Sequence, residues 1–136
     1  MKAISAWDDS LNILDPETDH AHHVIVDYFV FSHTAIAKDG DKAGILLHLD
    51  KLTAMIGEHF VEEELEFGMR DRLDCFKHIV SHHAILDALA EARRRIEAMP
   101  DPQEAALNLI FGIASIFRRH IAQEDRSLTK PQGLYD

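Results

Sequence analysis

The chain has 136 residues, enough for one domain with its own core, and a formal net charge of −10 with histidine neutral. This acidity would repel a phosphate backbone, so we expect neither nucleic acid nor an anionic membrane surface as a partner. The chain begins without a secretory signal, and no segment approaches the roughly 20 apolar residues of a membrane span. The lone Cys75 can form no internal disulfide. We therefore expect a cytoplasmic protein without membrane insertion.

The first predicted element is an extended N-terminal arm, residues 1–15, whose Trp7 would pack on the helices that follow. Asp15-Pro16 then combines a helix-capping residue with a proline, which favours the first position of a helix. Apolar side chains recur at helical spacing until an Asp-Gly-Asp sequence at 39–41, which is typical of a helix end. Asp19 is a second possible cap, so the start lies between Asp15 and Asp19, and the first helix is predicted over approximately 16–38.

Three more helices are predicted from apolar stripes with spacings of three and four residues. Pro100 and Pro102 mark a clear break, with Asp101 as the expected cap of the last helix. The four helices occupy approximately 16–38, 41–67, 71–98 and 102–127. Because helices of similar length with short connections pack most simply in alternating directions, the sequence predicts an all-α, up-down-up-down antiparallel four-helix bundle in a single domain over 1–136.

Ten histidines are the unusual feature of the composition, and three of them compete for the inner face of the first helix. His22 has apolar residues three, four and seven positions later, whereas His20 and His23 are both in phase with Asp27. His22 is therefore the expected inward histidine. His33 lies on nearly the same face about three turns further along, and we interpret it as a core histidine rather than a ligand.

On the second helix, His59 and Glu63 lie four residues apart on the apolar stripe, so both side chains are expected inside. A buried carboxylate is costly unless it is paired or bound to a metal ion. A hydrogen bond between the two residues would meet that need without a metal, and this alternative stays open for the pair taken alone. The neighbouring Glu62 and Glu64 are interpreted as part of the solvated face of the helix.

The third helix carries His78 and His82 at the same spacing, both on its apolar stripe. Each neutral imidazole must place one donor and one acceptor, so the two rings cannot easily satisfy each other, whereas a metal ion binds both acceptors. On the fourth helix, His120 is followed by Glu124 at four residues and Asp125 at five, the latter rotated by roughly 140° in an ideal helix. Spacing favours Glu124, but it does not decide between the two carboxylates.

These candidate residues all fall at one end of the predicted bundle, where the starts of two helices meet the ends of the other two. Five imidazoles and at least two carboxylates are too many ligands for one zinc ion and too rich in nitrogen for calcium or magnesium. Two six-coordinate first-row ions bridged by two carboxylates and a solvent oxygen fit the set, and imidazole suits iron. One position then stays open, at which a ferrous pair would bind dioxygen.

The motifs resemble those of bacterial hemerythrin domains over essentially the whole chain. The family's tryptophan, followed fifteen residues later by the first ligand within Asp-x-x-His, is matched by Trp7, Asp19 and His22. Its His-x-x-x-Glu, His-x-x-x-His and His-x-x-x-x-Asp motifs are also present. The resemblance implies seven iron ligands: His22, His59, Glu63, His78, His82, His120 and Asp125. It also implies that Glu63 and Asp125 bridge the two irons.

The resemblance further implies a cofactor of two iron ions in a diiron-oxo or hydroxo centre. His78, His82 and His120 would hold one iron, and His22 and His59 the other. The implied function is reversible binding of dioxygen for transport, storage or delivery, with an oxygen-consuming enzyme as a partner and no catalysis by this chain.

Two positions depart from the usual family pattern close to the last histidine ligand. Ile116 and Phe117 stand where relatives often have tryptophan and leucine, so they are expected to form part of the oxygen-pocket wall. Two other functions stay open: an oxygen- or iron-sensing interaction module, and a diiron enzyme of peroxidase or nitric-oxide-handling type. The sequence places no obvious proton donor beside the open position, which favours the oxygen carrier.

Overall fold

The computed structural model describes residues 3–12, 16–67 and 72–125, which form helices and no strand. A 3₁₀ turn at Asp9–Leu11 precedes α1 at Pro16–Lys38, α2 at Lys42–Phe67, α3 at Arg72–Glu97 and α4 at Gln103–His120, which continues as a π-helix at Ile121–Asp125. The all-α prediction is confirmed. The predicted helix limits agree within one residue wherever they fall on described residues, and the predicted start at 71 and the predicted end at 127 lie outside them.

The four helices pack as a bundle in which chain neighbours lie side by side. The first helix contacts α2 and α4, and α3 contacts the same two helices, as the predicted antiparallel order requires. Each helix contributes buried apolar side chains at spacings of three and four, and those of α2 are Ile45, Leu49, Leu52, Ile56 and Phe60. Burying one such side chain contributes about 1.5–3 kcal/mol, so these stripes determine the packing. No helix in the described ranges is long and apolar enough to cross a membrane.

The start of α4 differs from the prediction. The helix begins at Gln103, Pro102 occupies the cap position and no side chain caps the first turn, so the expected capping by Asp101 is wrong. The Gln103 amide instead donates to the carbonyl of Ile36 near the end of α1 at 2.8 Å, where helix carbonyls lack partners within the helix. A Cβ at Gly40 would collide with the Gln103 side chain, which explains a glycine at this crossing.

The N-terminal arm packs across α1 and α4, as its apolar residues predict. Ile4 and Leu11 are buried, and Arg118 of α4 donates to two backbone carbonyls of the arm at 3.2 Å each. The Trp7 ring stacks on the imidazole of His23, with centroids 5.1 Å apart and planes within 9° of parallel. The arm is therefore attached to two helices near the end of the bundle where the candidate ligands lie.

Candidate metal centre

Six of the seven predicted ligands meet inside one end of the bundle. All four helices contribute, and every one of the six is buried: His22, His59, Glu63, His78, His82 and His120. Their donor atoms form two groups in which the atoms lie within 4.8 Å of one another: Glu63 with His78, His82 and His120, and His22 with His59 and Glu63. These buried groups could hold metal ions, and Glu63 belongs to both.

The inward position of His22 follows from helix phase. His20 and His23 flank it on α1 and are exposed, whereas His22 is fully buried. His33 is also buried, about three turns further along α1, and it belongs to neither group of donor atoms. The choice of His22 from among the histidines of α1 agrees with the structure.

Glu63 joins the two groups. Its Oε2 atom faces the Nε2 atom of His22 at 3.1 Å and that of His59 in a shorter contact. Its Oε1 atom faces the Nε2 atoms of His78 at 2.6 Å and of His82 at 3.2 Å. Each carboxylate oxygen therefore has its own pair of histidines, one pair from α1 and α2 and the other from α3.

The surroundings of Glu63 keep its carboxyl ionised. Burial raises the pKa of this group, but the imidazoles of the four histidines around its two oxygens outweigh burial and hold the pKa well below its ordinary value. The residue is only 3% exposed, so water cannot balance its charge. A buried carboxylate of this kind needs positive charge close by, which protonated imidazoles or metal ions can supply.

The bonds of His82 fit a metal ion. Its Nδ1 atom lies 2.9 Å from Oε2 of Glu64, and because a carboxylate only accepts, Nδ1 carries the proton. A neutral ring then presents a lone pair from Nε2 to the Glu63 oxygen, and two acceptors repel each other unless a cation lies between them. The Nε2 atom of His59, in contact with Glu63, is buried and makes no hydrogen bond among the described atoms. Imidazole nitrogens of this kind are ligands of transition metals.

His120 completes the group on the α3 side. Its ring centroid lies 4.9 Å from the centroids of both His78 and His82. Its Nδ1 atom lies 2.7 Å from the hydroxyl of Ser81, a contact that the sequence reasoning missed. The hydroxyl fixes the orientation of the His120 ring from outside the cluster.

Glu64 corrects the interpretation of the acidic face of α2. The sequence predicts that Glu64 is solvated like Glu62, yet its side chain is only 35% exposed and it bonds His82. The physical reason is helix phase: each residue turns the direction by 100°, which brings Glu64 to the flank of α2 that meets α3. A metal-binding histidine commonly donates the N–H of its second ring nitrogen to a carboxylate, and this general rule points to a carboxylate such as Glu64 beside His82. Glu62 is exposed, as predicted.

Only one of the two residues expected in the pocket wall reaches the cluster. Phe117 is buried, and its ring meets His22 edge-on with centroids 6.0 Å apart. Ile116 is 38% exposed, so its expected place in the wall is wrong, because one step along the helix turns it away from the interior. Phe60 was not predicted there, and it stacks on His82 with centroids 3.7 Å apart. Two phenyl rings thus line the cluster.

The seventh predicted ligand, Asp125, has a side chain outside the described part of the chain, as has Glu124, so the choice between them stays a prediction. The backbone between His120 and Asp125 is described, and it forms the π-helix at Ile121–Asp125. A π-helix bonds residues five apart, so position 125 comes closer to the phase of His120 than it would in an α-helix. This is the backbone geometry that a ligand pair with five-residue spacing needs.

A small cavity of about 60 Å³ reaches the cluster from between α1 and α2. Its lining residues are Glu17, Thr18, Ala21, His59, Glu62 and Glu63. Glu17 and Glu62 are exposed and lie at its outer side, whereas His59 and Glu63 are buried at its inner side. The group that contains His59 is therefore the one next to a route from the surface.

Fold and cluster together define the class of protein: a four-helix bundle with buried histidine and carboxylate groups that could hold metal ions. Comparison of the chain with models of protein families, with curated proteins and with solved structures gives no match. The resemblance to hemerythrins therefore depends on the sequence motifs, and the particular family is a proposal.

Proposed function

We propose that the chain is a hemerythrin-like protein that binds dioxygen reversibly at a diiron centre, for oxygen transport, storage or delivery. The observation that carries this proposal is the shared carboxylate. The two oxygens of Glu63 each face their own pair of histidine nitrogens, at 3.1 Å or less for Oε2 and at 2.6 and 3.2 Å for Oε1. One carboxylate between two nitrogen-rich groups suits two metal ions held close together.

The donor set favours iron. Zinc in a structural site takes about four ligands, and calcium and magnesium prefer oxygen donors, whereas the described groups contain five imidazoles and one carboxylate. Imidazole suits iron, and Asp125 would be the second bridging carboxylate. A ferrous pair, when bound, would supply both a place for dioxygen and the electrons that make its binding reversible.

The aromatic residues of the chain would protect such a centre from water. Phe60 stacks on His82 and Phe117 meets His22, and both phenylalanines are fully buried. Excluding water limits the proton leakage and side reactions that would turn reversible binding into irreversible oxidation. An apolar lining therefore suits a carrier.

Iron content and an oxygen-dependent spectrum test the proposal. Protein loaded with Fe(II) without oxygen should hold two irons per chain and develop a visible charge-transfer band on exposure to dioxygen, which disappears when dioxygen is removed. His78→Ala should abolish both results. The matched control is His83→Ala, at an exposed position of the same helix. One iron per chain, zinc alone, or a band that does not reverse would contradict the proposal.

A sensing function is the second candidate, and the attachment of the arm favours it. Trp7 stacks on His23, which adjoins His22, and Arg118, two residues before His120, holds the arm backbone. A shift of either ligand on metal or oxygen binding would thus reach the arm. Hydrogen exchange should become slower in residues 3–12 when metal binds, and unchanged exchange there would remove this candidate.

A further inference from the structure

The carboxylate of Glu64 reaches the candidate metal centre through a histidine. Its Oε2 atom lies 2.9 Å from Nδ1 of His82, whose side chain is fully buried, while the Glu64 side chain is 35% exposed. The opposite nitrogen of the same ring, Nε2, faces Oε1 of Glu63 at 3.2 Å. His82 therefore lies between two carboxylates that differ in burial, and Glu64 is the outer one.

The ring of His82 has one remaining freedom that matters for binding a metal. Phe60 stacks on it with planes within 6° of parallel, which fixes the plane of the imidazole. A half-turn about the Cβ–Cγ bond keeps the ring in the same plane and so keeps the stacking. The same half-turn would replace Nε2 by a carbon atom on the side of Glu63. Stacking alone therefore does not select the orientation that binds a metal ion.

The hydrogen bond between His82 and Glu64 selects the ring orientation that binds a metal ion. Only a ring with Nδ1 on the outer side can donate a proton to this carboxylate, and Nε2 then points at the centre with a lone pair. His120 has a corresponding outer contact, from Nδ1 to the neutral hydroxyl of Ser81 at 2.7 Å. The outer contact of His82 is the charged one, and charge-assisted hydrogen bonds are the stronger kind.

We propose that Glu64 is a positioning residue that fixes the orientation and tautomer of His82 and thereby sets the metal affinity of the group formed by Glu63, His78, His82 and His120. The inference rests on the proposed function for its physiological meaning, but it concerns any transition metal bound by this group. Outer carboxylates of this kind typically change metal affinity by about 10–100-fold.

Cobalt(II) binding tests the inference apart from oxygen chemistry. Metal-free wild type, Glu64→Ala, Glu64→Gln and Glu62→Ala would be titrated with Co(II) in competition with a chelator, and the visible Co(II) spectrum would report coordination at each step. Glu64→Ala should weaken one class of Co(II) site by about 10–100-fold and change its spectrum, leaving the other class as in the wild type. Glu62→Ala, two residues away and exposed, is the matched control and should change neither.

Glu64→Gln separates the orientation of the His82 ring from the negative charge of Glu64, because it keeps the acceptor and removes the charge. It also shows whether the effect of Glu64→Ala comes from a folding defect. Its side-chain oxygen can still accept the proton of His82, so positioning predicts an affinity and a spectrum closer to the wild type than those of Glu64→Ala. Helix content and thermal unfolding of the metal-free variants show whether each is folded. Equal Co(II) affinity in Glu64→Ala and Glu62→Ala would overturn the inference. Failure of the iron-loaded wild type to bind dioxygen would overturn the proposed function only.

Discussion

The two ends of the bundle place different chemistry at equivalent inward positions of the same four helices. At one end most inward side chains are apolar and fully buried, among them Ile36, Ile45, Ile96 and Ile110, and His33 is a buried polar exception. At the other end they include five histidines and Glu63. Since burying polar groups costs free energy unless they are paired, the apolar end stabilises the fold that keeps the polar end assembled. Substitutions at the two ends should therefore separate stability from metal binding.

The largest effect is expected at Glu63, where the two groups of histidines meet. Glu63→Gln removes the charge that both groups share while keeping nearly the same volume, so metal should be lost from both groups together. Metal per chain after removal of unbound ions is the measurement. Glu62→Gln should retain the full metal content of the wild type, and a Glu63→Gln variant that keeps one ion with unchanged affinity would show that the carboxylate is not shared.

At the apolar end the expected effect is on stability. Leu49 is 1% exposed, so Leu49→Ala removes a packed side chain and leaves a cavity, at a cost of about 2–5 kcal/mol in the free energy of unfolding. The matched control is Leu47→Ala, at a position 70% exposed, which should change that free energy by less than about 0.5 kcal/mol. Denaturant unfolding of the metal-free proteins measures both. If folded Leu49→Ala protein failed to bind metal, stability and metal binding would not be separate properties of the two ends.

The smallest effect is expected at His33, a buried histidine outside the cluster. Burial lowers its pKa from 6.5, and a hydrogen bond with the backbone of Leu107 offsets only part of that change. Because the folded-state pKa is the lower one, the unfolded chain binds more protons as the pH falls below 6.5. The free energy of unfolding is therefore highest above that pH, where His33 is neutral, and it decreases on acidification.

His33→Gln tests this by removing the titration. Between about pH 7 and pH 5 the free energy of unfolding of the metal-free variant should fall less than that of the wild type, by under about 1.4 kcal/mol per pH unit for a single group. The same change at exposed His83 controls for the loss of one imidazole. If wild type and His33→Gln have the same pH slope, His33 takes up its proton equally well in the folded and unfolded states.

Helix phase accounts for what the sequence predicts well. His22 is distinguished from His20 and His23 by its apolar neighbours alone, and the structure buries it while leaving the other two exposed. The bundle follows from stripes, breaks and short connections, so its architecture is also within reach of the sequence. Both predictions need only the 100° turn per residue and a preference for burying apolar surface.

Predictions that depend on contacts between helices are less successful. Glu64 and Ile116 both lie one step from an inward residue, yet Glu64 turns toward α3 and bonds His82, while Ile116 turns toward solvent. The two cases differ in which flank a neighbouring helix covers, and that depends on the relative rotation and height of two helices. A single-helix pattern contains neither quantity. The predicted capping of α4 by Asp101 is wrong for a related reason. No side chain caps the first turn, and Gln103 instead bonds the carbonyl of Ile36 on α1, a contact between two helices.

The small cavity between α1 and α2 has a consequence for the rate of metal exchange. Besides this cavity of about 60 Å³, a wider one of about 220 Å³ is also lined by His59. An ion held by His22 and His59 would therefore lie next to two routes from the surface. A chelator should remove that ion before the one held by His78, His82 and His120, so the release of metal should occur in two phases of different rate.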